Sequence, residues 1–205
     1  MSTTINFCGV ILLAAGQSSR LGQPKQLLTY DGDSLIRRAV QVALDAAAGP
    51  VIVVLGAHAE QIRPVIHLSG IQIVENTQWE TGMASSIHAG LEFLVQQHPE
   101  ADGALLMVCD QPHLEPSILQ RLVQLQQQAG SPAVCCTYGG SQGTPALFHR
   151  SLFPSLLQLK GDTGARKLLQ HLGNTVTQLT FEKGLLDIDT PDDYADLLKR
   201  NNQAS

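Results

Sequence analysis

Val10-Ile11-Leu12-Leu13-Ala14-Ala15-Gly16-Gln17-Ser18-Ser19-Arg20-Leu21-Gly22-Gln23-Pro24-Lys25 decides the reading of this chain. Its opening apolar run lacks polar alternation, the pattern of a strand buried on both faces in a parallel sheet. Small residues and a glycine-rich, hydroxyl-bearing loop follow. Glycine lets backbone N–H groups approach phosphate oxygens closely, because it adds no Cβ. Arg20 and Lys25 add cationic partners for phosphate. The loop is neither a Walker A nor the dinucleotide pattern G-x-G-x-x-G, since Lys25 follows a proline and the glycine spacing fails. The bland alternative is a surface turn with both cations simply solvated.

Composition narrows what such a loop would serve. The 205 residues are 43% hydrophobic and only 15% charged, which suits one compact α/β domain over residues 1–205. A net charge of -5 argues against a nucleic-acid binder, which would carry a basic face. A local basic loop on an acidic protein suits a small anionic ligand. Cys8, Cys109, Cys135 and Cys136 form no C-x-x-C pair and read as buried thiols. With no signal peptide and no apolar stretch long enough to span a bilayer, the chain is expected in the reducing cytoplasm.

Outward from the first strand, Cys8–Ala14, strands and helices alternate. A helix from Ser34, its N-cap, runs through Ala47. Strands are expected at 51–55, 71–75, 104–109 and 133–137. Helices are expected at 60–67, with Pro64 weakening its second half, and at 85–97 and 116–128. Residues 139–145 and 160–166 read as loops, 175–181 and 185–188 as late strands. Pro191 opens a terminal helix whose last residues, 201–205, read as frayed. This order implies βαβ crossovers, helices on both faces of a mostly parallel sheet, and ligands at the carboxyl ends of its strands.

Asp110 stands at such an end. Asp187 and Asp189 close the late apolar stretch, and period two places them on one side of a strand. One could ligate metal while the other caps the helix at Pro191. Acids from the two segments suit Mg2+, or Mn2+, which takes carboxylate, phosphate and water oxygens. A turn-capping role is the plain alternative for Asp110. The histidines show no metal-ligand spacing.

These residues resemble a known family. Leu13-Ala14-Ala15-Gly16-x-x-x-Arg20-Leu21-Gly22-x-x-Lys25, Asp110 and Asp187-Ile188-Asp189-Thr190-Pro191-Asp192-Asp193 are similar to the MobA-like nucleotidyltransferases. Asn76-x-x-Trp79-x-x-Gly82-Met83-x-Ser85-Ser86, Gly143-Thr144-Pro145-Ala146-Leu147-Phe148 and Gly161-Asp162-x-Gly164-Ala165-Arg166 point to the molybdenum cofactor cytidylyltransferase branch. The resemblance spans residues 10–198. It implies a three-layer Rossmann-like α/β sandwich of the nucleotide-diphospho-sugar transferase type. It also implies transfer of a nucleoside monophosphate from an NTP, CTP in this branch, to a phosphorylated acceptor such as the molybdenum cofactor, with release of pyrophosphate. A transient contact with a molybdoenzyme would follow.

By the same resemblance, Leu13, Ala14, Ala15 and Gly16 face base and ribose, while Arg20 and Lys25 hold phosphates. Gly82 and Ser86 border the base pocket, and Asp110 with Asp187 or Asp189 carries the metal. Gly143, Thr144, Asp162 and Arg166 line the acceptor side. Base choice and acceptor stay open from the residues alone. A sugar phosphate or polyol phosphate acceptor and a non-catalytic cofactor carrier are the competing readings.

Overall fold

The computed structural model describes residues 3–67 and 69–204. Strand β1 (Cys8–Ala14) lies at the middle of a seven-stranded sheet, with β4 (Val51–Leu55) on one side and β6 (Gly103–Val108) on the other. Beyond β4 lies β5 (Ile71–Glu75). Beyond β6 come β8 (Ser141–His149), β7 (Ala133–Tyr138) and the edge strand β9 (Val176–Thr180). β8 alone runs antiparallel to its neighbours, and every other pair is parallel. A two-strand ribbon, β2 (Thr29–Tyr30) and β3 (Asp33–Ser34), stands apart from the sheet.

Alternate residues of β1 divide the core in two. Val10, Leu12 and Ala14 pack with Ile36, Val40 and Ala43 of α1 (Leu35–Ala46) and with Leu119 and Leu122 of α4 (Pro116–Ala129). Ile11 packs oppositely with Ile87, Leu91 and Leu94 of α3 (Met83–Gln97). On that face lie also Phe153 and Leu156 of α5 (Phe153–Leu156) and Leu168 and Leu169 of α6 (Ala165–Leu172). The continuous apolar reading of β1 is thus the signature of a strand covered on both faces. Gly90 lets α3 settle onto the sheet, since a Cβ there would stand 2.5 Å from Ile11 Cγ2. Ser34 caps α1 as read, its side chain accepting from the Arg37 N–H.

Four expectations are corrected. The predicted helix at 60–67 shrinks to α2 (Ala59–Ile62), which stops before Pro64. Residues 141–145 belong to β8; the turn is confined to Gly139 and Gly140, both at positive φ. Residues 185–188 form no strand: a 3-10 turn, Glu182–Leu185, leads into irregular chain. The last helix, α7 (Pro191–Ala204), continues where fraying was expected, and Ser205 lies outside the described residues. Among the described residues no helix is long and apolar enough to cross a membrane.

Candidate active site

The loop after β1 is held in shape by a residue the sequence reading passed over. Gln26 is almost fully buried, and its amide Nε2 donates to the carbonyls of Ala14 (3.0 Å) and Gly16 (2.9 Å). The Lys25 N–H donates to Ser18 Oγ at 3.1 Å, closing the turn that carries Arg20. Ser18 itself sits in the left-handed region (φ 56°), as does Gly22 (φ 68°). A buried amide so satisfied stabilises a loop, because stripping it of partners would leave polar groups without water. The result is a pinned rim above the carboxyl ends of β1 and β6.

Asp110 lies two residues past the end of β6 and is 8% exposed. Asp187 and Asp189 arrive from the irregular segment before α7. Neither caps that helix. Asp193 accepts from the Thr190 N–H at 2.8 Å, and Thr190 Oγ1 accepts from the Asp193 N–H at 3.2 Å, a reciprocal capping box. Both acids are therefore available to the site, and one oxygen from each of Asp110, Asp187 and Asp189 lies within 4.8 Å of the others. Such an oxygen set suits a hard divalent cation.

Lys25 Nζ reaches into this triad. It bonds Asp110 Oδ2, stands 3.1 Å from Asp189 Oδ1 and 3.9 Å from Asp187 Oδ1. Arg20 Nη2 meets Asp189 Oδ2 at 3.2 Å from the solvent side. Burial disfavours the Lys25 charge, but the charge and hydrogen bond of Asp110 together with the charge of Asp187 outweigh it and hold the ammonium above its usual range. For Asp187, burial and the like charge of Asp110 push the carboxyl above the usual carboxylate range. Burial also pushes the neighbouring Cys109 thiol up to about 12, so it stays protonated and is no nucleophile.

A cleft of about 360 Å³ opens beside these charges. One wall is Leu13, Ala14, Ala15 and Gly16 with Lys25, and the other is Trp79, Glu80, Gly82, Met83 and Ser86. Asp110 and Asp162 line it as well. Gly82 (φ 107°) touches the next loop so closely that a Cβ would lie 2.3 Å from the Gly161 carbonyl carbon. The Ala84 N–H donates to Gly161 O at 3.0 Å, which brings Asp162 to the cleft. Asn76, 5% exposed, orients Ser86 by donating to its Oγ at 3.0 Å.

The structure thus gathers the residues expected at nucleotide and metal, while those expected at the acceptor divide. Asp162 lines the cleft; Thr144 offers its carbonyl to Gln111 Nε2 at 3.1 Å, one residue from Asp110. Gly143 lies in β8 beside it, where it adjoins Tyr138. Arg166 is not brought to the cleft: with Gln142, Gln178 and Glu182 it lines a second groove of about 420 Å³. Gln26 and Gln111, two buried glutamines at the site, had only one signal, their position directly after Lys25 and Asp110.

Comparison with known proteins accords with this geometry. Purine catabolism protein PucB of Bacillus subtilis is 31% identical over 93% of this chain and 95% of its own. Nicotine blue oxidoreductase of Paenarthrobacter nicotinovorans is 32% identical over 78% of this chain and 80% of its own. Molybdenum cofactor cytidylyltransferase of Escherichia coli is 25% identical over 90% and 92%. Among solved structures, Rv0371c of Mycobacterium tuberculosis in complex with manganese superposes with a TM-score of 0.76 at 31% identity, covering 95% of this chain and 99% of that one. The MobA-like NTP transferase domain matches residues 10–176, from β1 through the start of β9. With loop, acids and cleft in one array and that match over most of its length, the chain belongs to the MobA-like NTP transferase family.

Proposed function

We propose that the protein transfers the cytidylyl group of CTP to a phosphorylated acceptor of the molybdopterin type and releases pyrophosphate. One observation carries the reading: three carboxylates and the Lys25 ammonium converge at the mouth of a nucleotide-sized cleft. A cofactor carrier would have no use for such a cluster. The late motifs resembling the cytidylyltransferase branch support CTP and the pterin acceptor.

Asp110, Asp187 and Asp189 would hold Mg2+ or Mn2+, which supplies charge neutralisation for a bound triphosphate. The backbone of Leu13 to Gly16 and the Gly82–Ser86 wall seat base and ribose. Lys25 bears on the α-phosphate and the leaving pyrophosphate, and Arg20 grips the outer phosphates. Asp162, Gly143 and Thr144 contact the acceptor, while Arg166, in the second groove, takes no part. A phosphate acceptor is already anionic at neutral pH, so its oxygen attacks the α-phosphorus without a general base. The chain's contribution is alignment and charge placement, not covalent catalysis.

The test is a panel of CTP, GTP and ATP, each with molybdopterin-type acceptor or with sugar or polyol phosphates, scored by pyrophosphate release with Mg2+ or Mn2+. CTP with the pterin acceptor should be fastest. Turnover only with sugar or polyol phosphates would replace the acceptor, and no release with any pair would overturn the catalytic reading.

A further inference from the structure

Gln111 follows Asp110 of the acid triad directly and joins two segments that are far apart in sequence. It is 8% exposed, and its Nε2 donates to two carbonyls remote in sequence, Thr144 O at 3.1 Å and Gly184 O at 3.3 Å. Thr144 belongs to β8. Gly184 lies in the 3-10 turn that leads, three residues later, to Asp187. One amide next to Asp110 therefore ties down the segment that delivers Asp187 and Asp189.

The other end of that amide is conspicuous. Gln111 Oε1 is buried with no partner among the described residues, and so is Arg38 Nε. One is an acceptor and the other a donor. Arg38 and Gln111 line the same small cavity, about 20 Å³, with Leu35, Ala39, Cys109 and Pro112. That is room for one water, for which roughly 10–15 Å³ suffices. The polarity of the amide is settled by its surroundings: flipped, it would set its oxygen against two carbonyls. Arg38 is held from outside, 5.0 Å from the Tyr30 ring centroid and 3.5 Å from Asp31 Oδ2.

We propose that Gln111 is a positioning residue for the metal-binding carboxylates, and that a buried water bridging its Oε1 to the Arg38 Nε–H fixes its orientation. The inference rests on the metal site proposed above. Asp110, Asp187 and Asp189 come from distant stretches, so their mutual spacing depends on whatever staples those stretches together. Gln111 is the staple, and Arg38 sets the staple's direction. Outer partners of metal ligands act in this way by orienting the ligands, and their loss typically weakens metal binding 10–100-fold.

The experiment is Mn2+ titration of the full chain without nucleotide, followed by electron paramagnetic resonance, on wild type, Gln111→Met, Arg38→Lys and the double variant. Thermal melts monitor folding. Gln111→Met should weaken Mn2+ about tenfold or more, and its kcat should recover at raised metal concentration. Arg38→Lys keeps the charge but lacks Nε–H; it should weaken Mn2+ about threefold, and the double variant should be no worse than Gln111→Met alone. Arg38→Lys spares the staple itself, so it remains informative should Gln111→Met fold poorly. Unchanged Mn2+ affinity in both single variants, or losses that multiply in the double, would overturn the proposal. Wild type that binds no Mn2+ would instead overturn the metal site, and this inference with it.

Discussion

Lys25→Met separates two roles that one side chain holds. Without metal the ammonium is the cation that touches all three carboxylates, at 3.1 Å from Asp189 and 3.9 Å from Asp187 and bonded to Asp110, with Arg20 pairing Asp189 alone. Two unit charges 4 Å apart interact by about 4 kcal/mol at an effective dielectric of 20. Asp110 is 12% exposed at its side chain and feels nearly all of this, whereas Asp189 and Asp187, at 39% and 55%, are screened. Removing one partner of a buried pair costs about 3–5 kcal/mol, and the two exposed acids place this case near the lower figure, about 3 kcal/mol. For a chain of this size that is a fall in Tm of about 6–12 °C. Calorimetry at about pH 8, with and without Mn2+, is the assay. A divalent ion should replace the missing ammonium, so Mn2+ should raise the Tm of the variant more than that of wild type. Turnover should still fall about 100-fold at saturating metal, since the α-phosphate has lost its positioned cation. Equal melting temperatures without metal, or equal gains on adding it, would refute the reasoning.

Three further outcomes follow from the same geometry. Asp110→Asn should lower pyrophosphate release about 100-fold or more while leaving a cooperative melt, and near-wild-type turnover would count against its metal role. Asp187 is raised from 3.8 to about 7 by burial and by Asp110, so the metal-free folded protein keeps a proton that the unfolded chain releases. This group's contribution to stability therefore declines as pH rises between those values, while Mn2+ affinity, which needs the ionised acid, should climb by up to about tenfold per pH unit and level off above about pH 7. Titrations at about pH 5.5, 6.5 and 7.5 that give one affinity would refute that linkage. Gly82→Ala must adopt φ 107° and push against Gly161, costing about 2 kcal/mol and raising the nucleotide KM as the Asp162 loop shifts. An unchanged KM would remove Gly82 from the wall.

How much was legible follows the range of the interactions. Strands β1, β4 and β5 and helices α1 and α4 could be read because local patterns specify them: unbroken apolar runs, the Ser34 cap, Pro116 in the first turn. Even the ribbon β2–β3 carries a local signal, Asp31-Gly32, with both residues at positive φ. β8 was not legible, because glycine and proline mark 139–145 as a loop and only pairing with β6 and β7 makes most of it strand. Arg166 carried no sign of which groove it would face.

By itself the sequence determined the alternating architecture and the cationic loop with an acid one strand away, since chain connectivity and carboxyl-end geometry follow from local periodicity. Tertiary structure alone decided that Asp187 and Asp189 both face Asp110, because Thr190 and Asp193 take over the helix cap. It alone decided, too, that Gln26 and Gln111 are the fasteners of the site. A glutamine is ordinarily a solvated residue, and what turns it into a clamp is a pair of backbone carbonyls brought to it by the fold.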